Sequence, residues 1–299
     1  MKLSDVDIIL QQYKIATYFG FPLISEVTAP KLKRVCSKWY PFVIFFTYFV
    51  FTLNCLTKRI SYYIYLFPPM QILNDVLEIL SEILFLSVCL LWPTKRFQQW
   101  KTFWNNLKTL DKNLKKLNFE EKRNPFIDGT ITSVCFVVIF CGHIWEILDW
   151  YKIGKIGIIY YYMNFRIVMY YHLFATILIC QITQMLKVRF DFLNQYLYKV
   201  GKKKHILWDV SQTEAYFTIR QLQEISKLYA MIHGLIKIFN NILGWHICFI
   251  IKSTILVILS SITFMVAILS QDIFKRGQIS TGLIIINVGY SSIYLVSAY

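Results

Sequence analysis

The run "WYPFVIFFTYFVFTLNCL" (39–56) carries eighteen residues without one charge. About twenty apolar residues in a helix cross the ~30 Å hydrocarbon layer of a bilayer. In that layer every backbone amide must find its partner within the chain, which a helix provides and an open loop does not. Five more stretches read the same way: 72–92, 130–148, 157–186, 242–269 and 281–299. With 56% of its 299 residues hydrophobic and 16% charged, the chain has more apolar surface than a soluble domain can bury. The expected fold is all-α, a polytopic membrane bundle of six transmembrane helices forming one membrane domain over 1–299.

The positive residues orient that bundle. Residues 1–38 are interrupted by charges throughout and hold no apolar core of signal-peptide length, so the first span is expected to act as an uncleaved insertion signal. Lys and Arg number six before the first span, nine in 93–129 and nine in 187–241, against two in each of 57–71, 149–156 and 270–280. The 24 to 6 asymmetry places the N-terminus in the cytoplasm. It also accounts for the net charge of +15 without any nucleic-acid partner. A cytoplasmic N-terminus is the reverse of the G-protein-coupled receptor arrangement. The external connections are short and the chain has no N-x-Ser/Thr sequon, so anything sensed from outside must be small enough to enter the bundle.

Enzyme chemistry finds little support. There is no Gly-rich phosphate loop, HExxH helix or GxSxG turn. The five histidines are dispersed, and the seven cysteines lie in or beside spans without CxxC spacing. No catalytic residue, metal site or cofactor is expected.

The segment 187–241 is expected to be a long helical cytoplasmic extension between the fourth and fifth spans. Leu222, Ile225, Leu228, Ile232 and Ile236 recur at helical spacing and lead into "KIFNNILGWH" without a break. Trp245 suits the aromatic belt at the membrane surface, and Gly244 permits a close helix approach or a small bend there. Asn240 and Asn241 read equally as a solvated polar turn or as packing residues.

On these residues the chain resembles the insect gustatory receptor family. Leu228, Ile232, Ile236, Phe239, Asn240, Gly244 and Trp245 carry the resemblance, together with Phe192, Leu193, Asn194 and Leu197 of "RFDFLNQYLYK" (189–199). The resemblance implies a seven-span, ligand-gated cation channel of the plasma membrane, built as a homo- or hetero-tetramer and related to the insect odorant receptors. It implies a tastant pocket in the outer half of the bundle, a cytoplasmic anchor from the extended helices, and a pore lined by the seventh helix. The family's seventh-span Thr-Tyr and Gln-Phe pairs have no counterpart here, since Thr47-Tyr48 lies in the first span and Gln-Phe does not occur. The chain is therefore expected to be C-terminally truncated.

Two groups of residues stand out as functional candidates. Asp75, Glu78 and Glu82 share one face of the second span, with Arg166 and Lys252 available as opposite charges. They read as an ionic strut between helices or as the polar wall of a ligand cavity. The stretch "YYYMNFRIVMYYH" (160–172) offers Tyr161, Asn164, Arg166, Tyr170 and His172 to a ligand in the outer half, with Trp145 and Glu146 at similar depth on the third span. An interfacial aromatic belt accounts for part of the tyrosine run. A solute transporter would also use intramembrane charges, although the chain shows neither internal repeats nor paired broken spans. A voltage-gated channel would need an Arg-rich fourth helix, which is absent.

Overall fold

A computed structural model describes residue 9 and residues 31–63, 69–119, 130–152, 157–205 and 212–270. Every element among them is helical: α1 (Lys31–Tyr63), α2 (Pro69–Leu90), the single turn α3 (Trp92–Lys95), α4 (Phe97–Lys115), α5 (Thr130–Lys152), α6 (Gly157–His205) and α7 (Gln212–Ser270). Three stretches are long and apolar enough to cross a membrane: Trp39–Ser61 in α1, Arg166–Lys202 in α6 and Ile219–Leu256 in α7. Helices α2 and α5 occupy the second and third expected spans, and α2 carries Asp75, Glu78 and Glu82 along that length. The sixth, 281–299, lies outside the described residues.

The helices follow from local chemistry. Pro93 has no amide to donate back into the preceding turn, and the helix breaks beside it, at Leu91. Thr94 Oγ1 donates to the Leu91 carbonyl at 2.5 Å within that break. Beyond it, Trp100, Phe103, Trp104, Leu107, Leu110 and Leu114 recur at helical spacing and form the buried face of α4. The helix ends where Asn118 takes the left-handed conformation (φ 61°), which Asn tolerates better than most residues. The amide of Phe119 then donates to the Leu114 carbonyl at 3.2 Å, and its ring turns back onto Phe192.

Two cores result. In the larger, α4, the C-terminal half of α6 and the N-terminal half of α7 pack together, burying Leu107, Leu110, Met185, Leu193, Leu228, Ile232 and Leu235 among others. Each such side chain contributes roughly 1.5–3 kcal/mol. Thus part of 93–129, expected only as a basic connection, is a third helix packed with the extended parts of α6 and α7. The second core joins α1, α2, α6 and α7 through Tyr48, Phe85, Leu86, Cys89, Val168, Tyr171, Ala175 and Ile250. Helix α6 is the central member, with 50% of its apolar window buried against 22% for α1. α5 lies at the edge. It buries Ile139 and His143 while exposing Val134, Val137, Val138 and Phe140.

Candidate functional site: a buried polar network around Asn164

Above the second core, α1 presents Tyr48, Thr52, Cys55 and Arg59 at i, i+4, i+7 and i+11, one stripe of a helix, and all four are buried. Asn164 of α6 stands opposite and is completely buried. Its Nδ2 donates to Glu82 Oε2 at 2.9 Å, and its Oδ1 accepts from the Arg59 guanidinium at 3.3 Å. Tyr48 Oη reaches both Glu82 Oε2, at 3.4 Å, and the Asn164 carbonyl, at 3.3 Å. Cys55 Sγ donates to the Tyr160 carbonyl at 3.4 Å. One carboxamide thereby links a carboxylate on α2 to a guanidinium on α1. A carboxylate removed from water is costly unless a cation and hydrogen-bond donors surround it, and Arg59, Asn164 and Tyr48 are the groups that face Glu82.

The cation beside Glu82 is therefore Arg59, where the sequence pointed to Arg166 or Lys252. Arg59 was counted with an external connection because the apolar run was closed at residue 56. The helix continues to Tyr63, and the polar stripe at four- and three-residue intervals was the available signal. Arg166 is buried too, but two residues beyond Asn164 on a helix means a rotation of about 200°. That turns it toward α5, within electrostatic reach of His143 and Tyr170. The His143 and Tyr170 rings meet edge to face at 5.4 Å. Lys252 lies on the exposed side of α7, its ammonium 5.9 Å from the Phe249 ring centre.

A third polar contact ties α6 to α2 and α7. The His172 ring stacks on Phe85 with centres 3.7 Å apart and planes 3° from parallel. Its Nε2 shares a hydrogen bond with Ser253 Oγ at 2.8 Å. Asn164, Arg166, Tyr170 and His172 thus all serve helix contacts of α6, but toward different neighbours. Trp145 is not gathered with them: it is 63% exposed, on the side of α5 opposite His143. Glu78 is half-buried and within electrostatic reach of Glu82. The side chains of Asp75, Glu146 and Tyr161 lie outside the described residues. Among the described residues, no three His, Cys, Asp or Glu side chains gather closely enough for a metal ion.

At the far end of α6 the bundle has its own buried ion pair. Arg189, fully buried, donates from Nε and Nη2 to the two carboxylate oxygens of Asp111 at 2.6 and 2.8 Å. Its Nη1 donates to the Met185 carbonyl at 2.8 Å. Nearby, Tyr229 Oη donates to Asn194 Oδ1 at 2.5 Å, joining α6 to α7. Asn240 is exposed and Trp245 is 53% exposed. The close approach expected at Gly244 is not made within the described residues, where a Cβ at this position would meet nothing within 4 Å.

Among the described residues the fold is all-helical, with three helices apolar enough to cross a membrane, a buried polar network around Asn164, and a separate three-helix core. Comparison of the chain with known protein families, curated proteins and solved structures finds no match.

Proposed function

We propose that the chain is a chemosensory receptor subunit of the gustatory type, a ligand-gated cation channel component of the plasma membrane that detects small-molecule tastants. In this reading the six apolar stretches span the bilayer, the N-terminus is cytoplasmic, and the channel assembles as a homo- or hetero-tetramer. The observation that carries the reading is the continuity of α6. This one helix of 49 residues bears Asn164, Arg166 and His172 at one end and Arg189 and Leu193, in the three-helix core, at the other. From Asn164 to Arg189 is about 38 Å at 1.5 Å per residue. A ligand that shifts the polar end of such a helix displaces the anchored end with it, since packed helices move as units.

Orientation supports the same reading. Helix α6 starts outside, which puts Asn164 and Arg166 in the outer half, and the bundle of α4, α6 and α7 carries the basic residues that stay in the cytoplasm. The binding region would take a small, partly polar molecule through Arg166, Tyr170 and His143 on the α5 side. Signalling would need no enzyme activity.

The test is electrophysiology on cells expressing the protein, challenged with a panel of sugars, bitter compounds and amino acids. Ligand-evoked cation current is expected, with Arg166→Gln shifting the half-maximal concentration at unchanged surface expression. Saturable solute uptake without ligand-gated current would replace the channel reading with a transporter.

A further inference from the structure

At the start of the fifth expected span (242–269) on α7, five side chains form an unbroken series of contacts. The Arg96 guanidinium lies 5.0 Å from the Trp92 ring, and Trp92 meets Trp245 edge to face at 6.5 Å. Trp245 leans on Phe249 at 6.2 Å, and the Lys252 ammonium lies 5.9 Å from the Phe249 ring centre. Two cations thus bracket three aromatic rings. Neither cation has a carboxylate partner among the described residues. Beside the series, Gly244 leaves the α7 surface open.

Lys252 decides what this arrangement is for. It lies seven residues, about 10 Å, beyond Trp245 along α7. A bare ammonium at that depth on an exposed helix face is expensive. Its ammonium meets the ring of Phe249, one turn back toward Trp245, as a lysine does when it extends its stem toward the headgroups. Tryptophan favours the same level of the bilayer. Arg96 reaches that level from the opposite side, just past the break that ends α2. A carboxylate-bearing helix could serve Lys252 only by burying its own charge. A lipid phosphate is already at the headgroup level, beside Arg96 and on the side toward which Lys252 extends.

We propose that Arg96, Trp92, Trp245, Phe249 and Lys252 form a binding site for the headgroup of an anionic phospholipid of the inner leaflet, with its acyl chain along the exposed apolar face of α7 at Ile255 and Leu259. The site rests on the membrane reading of α2 and α7 but not on the identity of any tastant. It would make the position of α7 relative to the α2 end dependent on lipid composition.

The test uses the whole chain in nanodiscs and quenching of tryptophan fluorescence by phospholipids with brominated acyl chains. The chain has eight tryptophans, so the Trp245 contribution is taken as wild type minus Trp245→Phe. Brominated phosphatidylserine is expected to be preferred over brominated phosphatidylcholine at Trp245 by about five-fold for each cation. The preference should vanish in Arg96→Gln/Lys252→Gln and persist in Arg96→Lys/Lys252→Arg, which keeps both charges. Equal quenching by the two lipids would overturn the site while leaving the membrane placement intact. Absence of Trp245 quenching by either lipid would overturn the placement of α7 itself. Loss of the preference in millimolar inorganic phosphate would reassign the site to a soluble anion and overturn the lipid assignment.

Discussion

Removing one partner of the Arg189–Asp111 pair should cost different amounts depending on which is removed. Arg189 has no solvent-exposed side-chain surface, whereas Asp111 retains 16%. Asp111→Ala leaves a guanidinium buried without its carboxylate, still donating to the Met185 carbonyl. The cost of stranding such a charge is about 3–5 kcal/mol. Arg189→Met fills similar volume and strands a carboxylate that can still reach water, so the loss is nearer ~1–3 kcal/mol. Replacing both, as Asp111→Leu/Arg189→Met, removes the desolvated charges together and should fall within ~1–2 kcal/mol of the parent. At roughly 2–4 °C per kcal/mol, Asp111→Ala lowers the midpoint by about 6–20 °C. The assay is a thermal melt of detergent-solubilised protein followed by fluorescence-detected size-exclusion chromatography. A double variant as unstable as the sum of the singles would refute the argument, because it would mean that the two residues act independently.

Further outcomes follow from the same geometry. Asn164→Asp should lower folded yield more than Asn164→Ala, since it places a second carboxylate against Glu82, and adding Glu82→Gln should recover part of the loss; yields compared by fluorescent fusion decide this. Gly244→Leu should change the melting midpoint of the isolated chain by no more than about 0.5 kcal/mol in stability, because the side chain meets open space. Phe85→Ala should cost about 3–5 kcal/mol and Ser253→Ala about 1 kcal/mol, since the first empties the stack on His172 and the second removes one hydrogen bond; the same melts rank them. Asn118→Val should destabilise the α4 end by roughly 1–2 kcal/mol while Asn118→Gly is neutral or better, read by proteolysis after residue 115.

Helix type and position were legible because apolar runs and 3.6-residue periodicity report burial directly. The approach through Leu228, Ile232 and Phe239 forms a helix of the larger core, as the spacing indicated. α4 was hidden by its lysines: the eye catches the charge in "WKTFWNNLKTLDKNLKK", while the buried stripe of Trp100, Phe103, Leu107, Leu110 and Leu114 lies beneath it. The polar site was half legible. Asn164, Glu82 and Arg166 stand out as polar residues in apolar runs, and all three are buried. Their partners were not legible, because choosing Arg59 over Arg166 for Glu82 depends on how far α1 extends and on a 200° difference of facing along α6. Trp145 faces away from that group for the same reason, two positions from His143.

The placement of the two ends of α1 tests the account most directly, because every assignment of outer pocket and cytoplasmic bundle follows from it. An epitope tag at the N-terminus and another between residues 64 and 68 would be probed by antibody on intact and on permeabilised cells. The account predicts that the 64–68 tag is labelled on intact cells and the N-terminal tag only after permeabilisation. Surface labelling of the N-terminal tag on intact cells would invert the bundle and contradict the receptor reading.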